Sequence, residues 1–364
     1  TFPDYPAEIR APQGTVAGVS GFQVHFGDHR ELNPGDYCDV LVAMNPAALK
    51  TQYKFCKPQA VIIIDSDSFT KRDLEKAKFE LENPFSELGI KNEVVEASIT
   101  TMCKESLKDS GLDNKSILRT KNMFALGLVC WLFHRDLSIA EKLLREKFAK
   151  KPAIAEANIK VLNDGYHFGE NTHASVSFSY MVPSKEQKRP GRYMDINGNK
   201  ATAYGLMAAA EKAGLQLYLG SYPITPATDI LHELAKHKSL GVKTVQCEDE
   251  IAGCSSAVGA AFAGALAVTT TSGPGICLKS EAMNLAVITE LPLVIVDVQR
   301  GGPSTGLPTK SEQTDLLQVL YGRNGESPMP VIAASSPTDC FDAAYTACKI
   351  ALEHMTPVVL LTDA

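Results

Sequence analysis

Residues 244–275 read TVQCEDEIAGCSSAVGAAFAGALAVTTTSGPG, and their order decides the fold of the second half of the chain. A short apolar run ends in three carboxylates, residues 248–250, which open a stretch of small residues at 251–263. A second apolar run, 266–270, then ends in a turn made of glycine and proline. Strand, helix and strand in this order are typical of a parallel sheet with a crossover helix.

The same alternation continues on both sides of this stretch. We predict strands at 216–219, 244–247, 266–270, 293–298, 331–334 and 357–362. We predict helices at 201–213, 228–237, 249–263, 278–290 and 337–354. The pattern indicates a doubly wound parallel sheet, whose ligands bind beyond the carboxyl ends of the strands.

The first part of the chain, residues 1–162, also alternates between strand and helix. Strands are predicted at 39–44, 60–65 and 94–97, and helices at 71–81, 117–134 and 138–149. Residues 163–198 contain scattered glycines, prolines and a charged run, and we interpret them as an inter-domain linker. The predicted fold class is therefore α/β, with two α/β domains, the second comprising residues 199–364.

Composition excludes several function classes. The 364 residues are 45% apolar and 21% charged with a net charge of -6, which argues against nucleic acid or a polybasic membrane contact. No apolar run reaches the ~20 residues that span a bilayer, so no membrane association is predicted. The nine cysteines form no CxxC pair, so we predict no metal site in this chain and a reducing, cytoplasmic location.

Four polar loops follow predicted strands of the second domain. They are SYPITP (221–226), CEDE (247–250), TSGPG (271–275) and QRGGPSTGLPT (299–309). All four should open on one edge of the sheet, where they can share a ligand. The carboxylates of CEDE can be read in two ways: they interact favourably with the positive end of the helix dipole, or they include a catalytic acid beside a crowded interface. The spacing of the residues alone leaves both interpretations open.

The order of acid, small-residue helix, strand and SGPG turn resembles the pyrimidine-binding domain of thiamine diphosphate enzymes. YPITP (222–226) and GPSTGLPT (302–309) are similar to the α subunit of 2-oxoacid:ferredoxin oxidoreductases. The run GLPTKSEQTDL (306–316) resembles the 2-oxoglutarate members in particular.

The first domain resembles the γ domain of the same family, fused ahead of α. The similarity lies in YPAEIRAPQGTVAGVSGFQ (5–23) and DVLVAMNPAAL (39–49). The glycine-rich strand, loop and helix that begin a γ domain do not occur in the sequence, nor does the domain that follows the pyrimidine-binding domain in the family. We therefore expect both to belong to a longer protein.

The resemblance implies roles for individual residues. Glu250 is the catalytic acid that hydrogen-bonds the pyrimidine ring and favours the imino form of its 4′-amino group. The cofactor-binding residues are Glu250, Ser272, Gly273, Pro274 and Gly275. Glu248 remains an alternative for the activating acid, whereas Asp249 is predicted to cap the helix.

The substrate is an anion, and the resemblance points to Thr225, Arg300 and Thr309 as its ligands. An arginine fork and two hydroxyls suit a carboxylate. Lys310 is a candidate for a second carboxylate, which would favour 2-oxoglutarate over pyruvate.

The resemblance also implies partners. The chain has no GDG motif for Mg²⁺ and diphosphate, so a β subunit is expected to bring Mg²⁺, the diphosphate site and a [4Fe-4S] cluster, in an (αβ)₂ heterotetramer. The implied reaction is oxidative decarboxylation of 2-oxoglutarate to succinyl-CoA, with coenzyme A as co-substrate and ferredoxin as acceptor. Alternatives are a pyruvate or branched-chain 2-oxoacid enzyme, a non-redox thiamine enzyme and a non-catalytic structural subunit.

Overall fold

Two parallel sheets organise the chain, one in each of the two units into which it divides, Thr1–Arg189 and Pro190–Ala364. The computed structural model describes residues 2–6, 11–28, 31, 33–172, 180–182 and 190–363. The predicted fold class, α/β with parallel sheets, is confirmed.

The first unit is built on three short parallel strands. Its strands are β1 (Phe2–Asp4), β2 (Gly21–Gln23), β3 (Cys38–Ala43), β4 (Cys56–Asp65) and β5 (Val94–Ala97). Its helices are α1 (Pro46–Gln52), α2 (Lys71–Lys76), α3 (Pro84–Glu87), α4 (Ile99–Leu107), α5 (Asn114–Leu118), α6 (Lys121–Leu132), α7 (Ser138–Lys147) and α8 (Pro152–Thr172). Strands β3, β4 and β5 form a parallel sheet in that order, whereas β1 and β2 pair antiparallel.

Helices α6 and α8 approach each other closely because glycines line their contact. A Cβ at Gly127 would lie 2.0 Å from the Leu162 carbonyl oxygen, and one at Gly165 would lie 2.0 Å from that of Phe124. The ring of Trp131 fills the space that a side chain at Gly169 would need. Backbone therefore packs directly on backbone along this contact.

Three predicted boundaries in the first unit differ from the structure. The helix expected at 71–81 ends at Lys76, because the chain turns at Lys78 with a φ of 60°. The helix expected at 117–134 is two helices, α5 and α6, separated at Arg119 and Thr120. Helix α8 continues ten residues into the expected linker, where its Gly165 and Gly169 are buried against α6. Of that linker, residues 173–179 and 183–189 lie outside the described residues.

The second unit holds the larger sheet. Its strands are β6 (Leu217–Ser221), β7 (Lys243–Gln246), β8 (Leu266–Thr271), β9 (Leu293–Gln299), β10 (Val331–Ala333) and β11 (Pro357–Asp363). Its helices are α9 (Gly198–Ala213), α10 (Thr228–Leu234), α11 (Glu250–Phe262), α12 (Pro274–Leu278), α13 (Ser280–Ile288), α14 (Leu316–Tyr321) and α15 (Asp339–His354). The helix expected at 278–290 is thus α13, preceded by the short α12 in the SGPG turn.

The strand order β10-β11-β9-β8-β6-β7 places the four polar loops side by side. All neighbouring pairs are parallel, so the loops after β9, β8, β6 and β7 leave the same edge of the sheet. The chain runs from β6 to β7 on one side and then returns to β8 on the other. The strand order therefore reverses between β6 and β8, which is where ligands bind in doubly wound sheets.

Helix α11 lies against β6 at very short range. A Cβ at Gly220 would lie 2.3 Å from Ser256 Oγ and 2.5 Å from the Gly253 carbonyl oxygen. The small residues of this helix therefore allow the backbones of α11 and β6 to approach each other closely. A Cβ at Gly259, by contrast, would meet nothing within 4 Å, because Gly259 lies on the exposed side of α11.

We expect Gly127→Ala to destabilise the first unit by about 2–4 kcal/mol, because the added methyl group would overlap the Leu162 carbonyl. Urea unfolding monitored by fluorescence of the single tryptophan, Trp131, would measure the change. Asn122→Ala, on the exposed side of the same helix, is the control and should stay within about 0.5 kcal/mol. Equal stability of the two variants would contradict the close contact.

Candidate active site

The turn between β8 and α12 requires glycine at two positions. Gly273 has φ 41° and ψ −103°, a conformation that residues with a side chain rarely adopt. A Cβ at Gly275 would lie 2.1 Å from Thr271 Oγ1, 2.3 Å from Tyr222 Oη and 3.1 Å from Glu250 Cγ. Gly275 therefore leaves the space in which three polar side chains meet.

Glu250 is the first residue of α11 and faces this turn. The preceding Asp249 caps the helix, since its carboxylate accepts a hydrogen bond from the Ala252 amide at 2.8 Å, as predicted. Glu248 is exposed, whereas Glu250 is half-buried beside Gly275. The geometry favours Glu250 over Glu248 as the acid of the site.

Tyr222 lies between Glu250 and Thr271, the residue at the start of the turn. Its side chain is buried, and its hydroxyl lies 2.9 Å from Thr271 Oγ1. Burial raises the pKa of the Tyr222 hydroxyl well above its usual value, and the neighbouring Glu250 carboxylate raises it further. Tyr222 therefore stays a neutral phenol that can donate a hydrogen bond to Glu250.

Lys279, which the sequence analysis did not single out, is a fully buried cation beneath the same residues. Its Nζ donates to the Glu250 carbonyl oxygen and to Thr269 Oγ1, each at 3.0 Å. It also lies 5.2 Å from the centre of the Tyr222 ring. Burial lowers the pKa of Lys279. In the sequence, Lys279 is marked only by its position after an apolar run, ICLK. Lysines in such positions are also common on helix surfaces, so the pattern does not indicate burial.

A buried acid, Asp297, lies under the turn and was also missed. It is fully buried, with the Gly273 amide and the carboxyl group of buried Asp315 as its polar neighbours. Burial raises the pKa of Asp297 well above its usual range, and the charge of Asp315 raises it further. Burial therefore favours the protonated form of Asp297. Its signal was an acid interrupting the apolar strand LVIVDVQ.

On the proposed substrate side, the structure brings Arg300 and Thr225 together. Arg300 is 3% exposed and donates to the carbonyl oxygens of Thr225 at 2.7 Å and Thr305 at 2.9 Å. A Cβ at Gly273 would lie 3.6 Å from Arg300 Cγ, so the arginine also lies against the glycine turn. Arg300 thus joins three of the four polar loops.

Thr309 lies where the last loop folds back on itself. The Gly301 amide donates to the Lys310 carbonyl oxygen at 2.8 Å, and the Leu307 amide donates to the Gly301 carbonyl oxygen at 2.9 Å. Thr225 is exposed and Thr309 is half-buried, so both hydroxyls belong to the outer part of the site.

The residues around the turn fit a planar heterocycle with hydrogen-bonding ring nitrogens. Glu250 offers a carboxyl group at a helix start, and the neighbouring Gly275 contributes backbone without a side chain. Ser272 Oγ is buried and has no hydrogen-bond partner among the described residues, so it is available to a bound molecule.

In the described ranges, no three or more His, Cys, Asp or Glu side chains are grouped in a way that could hold a metal ion. The helices that the structure describes include none long and apolar enough to cross a membrane.

Comparison with known protein families matches nearly the whole chain in two parts. The thiamine diphosphate-binding model of pyruvate flavodoxin/ferredoxin oxidoreductases matches residues 208–364. The model described as pyruvate ferredoxin/flavodoxin oxidoreductase matches residues 1–168.

Individual relatives agree with the family models. The 2-oxoglutarate oxidoreductase subunit KorA of Mycobacterium tuberculosis is 54% identical over 364 residues, which are 100% of this chain and 55% of that protein. The 2-oxoglutarate synthase subunit KorA of Archaeoglobus fulgidus is 45% identical over 169 residues, 46% of this chain and 47% of that protein. The chain spans about half the length of these relatives.

A solved structure is similar over both units. It is 2-oxoglutarate:ferredoxin oxidoreductase from Magnetococcus marinus, with 2-oxoglutarate, coenzyme A and succinyl-CoA bound. The TM-score is 0.75 at 31% sequence identity, and the match covers 92% of this chain and 54% of that one.

We expect Gly275→Ala to destabilise the second unit by about 1–3 kcal/mol, because its methyl group would overlap Thr271 Oγ1 and Tyr222 Oη. Gly259→Ala is the matched control: it adds the same methyl group to a helix in open space, and should stabilise by about 0.5–1 kcal/mol. Chemical denaturation of both variants measures the difference, and effects of the same sign would contradict the crowding at Gly275.

We expect Asp297→Asn to make the protein less sensitive to rising pH. The folded-state pKa of Asp297 is raised, so its contribution to stability is complete below the unfolded-state pKa of about 3.9 and is lost as pH rises through the folded-state value. Asparagine is neutral throughout, so the melting temperature of the variant relative to wild type should increase between pH 5 and 9. Parallel curves of melting temperature against pH would show that Asp297 is ionised in the folded protein.

Proposed function

Because the chain belongs to the 2-oxoacid:ferredoxin oxidoreductase family, we propose that it is the cofactor-activating part of an α subunit in a 2-oxoglutarate:ferredoxin oxidoreductase. In the proposed reaction 2-oxoglutarate loses CO₂, its acyl group joins coenzyme A as succinyl-CoA, and two electrons pass to ferredoxin. The observation that carries the proposal is the convergence of the Glu250 side chain, Tyr222 Oη and Thr271 Oγ1 at Gly275, at the reversal point of the sheet.

Thiamine diphosphate, when bound, supplies a carbon nucleophile and stabilises the negative charge that decarboxylation leaves. The contribution of Glu250 is one hydrogen bond to a pyrimidine nitrogen, which holds a proton at that atom. Tyr222 and Gly275 keep the carboxyl group in place, and Ser272 Oγ offers a further hydrogen bond. Gly273 and Pro274 shape the turn so that the heterocycle meets backbone rather than a side chain.

Arg300, Thr225 and Thr309 are the proposed ligands of the substrate carboxylate. Arg300 Nε has no partner among the described residues, although the two terminal nitrogens are held by the carbonyl groups of Thr225 in another loop and of Thr305 in the same loop. A rigid, buried guanidinium suits an anion because little side-chain freedom is lost on binding. Lys310, in the same loop, is the proposed contact of the second carboxylate of 2-oxoglutarate.

A partner subunit is proposed because Glu250 begins a helix whose exposed side carries large apolar residues. Along the exposed side of α11, Ile251 is 52% exposed and Phe262 is 83% exposed, with only Ser255 and Gly259 between them. Exposed apolar residues on neighbouring α13 and α14 extend this surface: they are Leu285, Ile288, Leu316, Leu317 and Tyr321. Apolar surface of this kind marks a protein interface.

We propose a β subunit as that partner, carrying Mg²⁺, the diphosphate site and a [4Fe-4S] cluster, in an (αβ)₂ heterotetramer that reduces ferredoxin in the cytoplasm. The sequence has no GDG motif, which supports a diphosphate site on another chain or domain. A non-catalytic structural subunit is the alternative, and the complete cluster of Glu250, Tyr222 and Arg300 disfavours it.

We expect Glu250→Gln, expressed with the partner subunit, to lower 2-oxoglutarate-dependent reduction of viologen by about 10²–10⁴-fold while the complex still assembles, because the amide cannot supply the carboxyl proton. Glu248→Gln is the matched control, two residues away and exposed, and should change the rate less than about twofold. If only Glu248→Gln lost activity, Glu248 rather than Glu250 would be the activating acid.

The choice of substrate is tested in the same assay with wild-type enzyme. Rates on 2-oxoglutarate should exceed those on pyruvate and on a branched 2-oxoacid by at least about tenfold, since both lack a second carboxylate. A preference for pyruvate would overturn the proposed substrate but leave the proposed role of Glu250 intact.

A further inference from the structure

Lys279 occupies the point where three of the site's elements meet. It directly precedes α13, and its Nζ donates to the first residue of α11 and to Thr269 in β8. Its third neighbour is the ring of Tyr222, in the loop after β6. Of the lysines that the structure describes, only Lys279 is buried.

A buried ammonium without an ion pair costs several kcal/mol in desolvation. Its ammonium group donates hydrogen bonds to the Glu250 carbonyl oxygen and to Thr269 Oγ1. Both acceptors are neutral, so these bonds offset only part of the desolvation cost. The carboxylate that acts most strongly on Lys279 is that of Glu250. Since a well-packed apolar side chain at such a position is often neutral or stabilising, the fold alone gives little reason for a lysine here.

The contacts form a closed cluster around Glu250. Lys279 holds the backbone carbonyl of Glu250, and the Tyr222 ring lies over the ammonium. The Tyr222 hydroxyl, in turn, is a hydrogen-bonding neighbour of the Glu250 carboxylate and of Thr271. One cation therefore restrains both ends of Glu250, the backbone directly and the carboxylate through Tyr222.

We propose that Lys279 is a positioning residue for thiamine diphosphate activation: through its hydrogen bond to the Glu250 carbonyl oxygen and its contact with the Tyr222 ring, it orients Glu250 toward the pyrimidine site. This inference rests on the proposed role of Glu250. Lys279 is 0% exposed and its contacts are with Glu250, Thr269 and Tyr222, so it acts through Glu250 and Tyr222.

The test uses the complete enzyme with its partner subunit and compares Lys279→Met, which keeps the length and removes the charge, with wild type. We expect kcat on 2-oxoglutarate to fall at least about tenfold while KM changes less than about threefold, because substrate binding does not involve Lys279. The near-ultraviolet circular dichroism of bound thiamine diphosphate should lose the band of the imino form. The melting temperature should stay equal or rise, since a buried charge is removed.

Two controls separate this inference from other outcomes. Lys243→Met removes an exposed lysine that also lies over a ring, that of Tyr218, and should leave every readout unchanged. Glu250→Gln should be inactive: if it is fully active, the proposed function itself fails. An inactive Glu250→Gln together with an active Lys279→Met that keeps the imino band would overturn only the role of Lys279.

Lys279→Gln serves as a second variant, because its amide can still donate to the Glu250 carbonyl without a charge. We expect it to recover part of the kcat and little of the imino band. If neither variant gives a folded complex, Lys279 is required for the fold, and the positioning role is overturned.

Discussion

The candidate site depends on the missing side chain at Gly275. Because no Cβ occupies this position, Thr271 Oγ1, Tyr222 Oη and the Glu250 side chain converge from three strand ends onto one space. Each of these residues is delivered by a different crossover of the parallel sheet, so the constraint at one glycine connects elements that are far apart in sequence. Beneath them lie two fully buried ionisable groups, Lys279 and Asp297. The turn is therefore supported from below by polar groups rather than by ordinary apolar packing.

The alternation of apolar runs with helical stretches was enough to predict the α/β class and the doubly wound second unit. Loop positions after β6, β7, β8 and β9 followed from the same rule, because parallel strands all end on one edge. Helix boundaries were less accurate where tertiary contacts decide them. Helix α8 continues to Thr172 because its glycines pack against α6, and no local pattern in a glycine-containing, polar stretch reveals a partner helix.

The same distinction applies to the site. Asp249 could be assigned as a helix cap, and it caps the helix. Lys279 and Asp297 were missed because their importance comes from burial, and burial depends on which elements cover a residue. Arg300 was expected to offer its guanidinium group to a carboxylate, yet one terminal nitrogen donates to the Thr225 carbonyl in another loop and the other donates to the Thr305 carbonyl in its own loop. Roles for Thr309 and Lys310 stay predictions.

The position of helix α11 limits which substitutions the protein can tolerate on the exposed side of this helix. Its first residue is Glu250, and Ser255 and Gly259 lie on its exposed side between the apolar Ile251 and Phe262. The same helix thus carries both Glu250 and the exposed surface proposed to bind a partner. If a subunit covers that side, a shift of the helix by a single residue, about 1.5 Å, would displace the carboxylate by the same amount. Substitutions at Ser255 or Gly259 would then lower the turnover rate of the enzyme before they dissociate the complex. Selection for turnover would thereby preserve the interface.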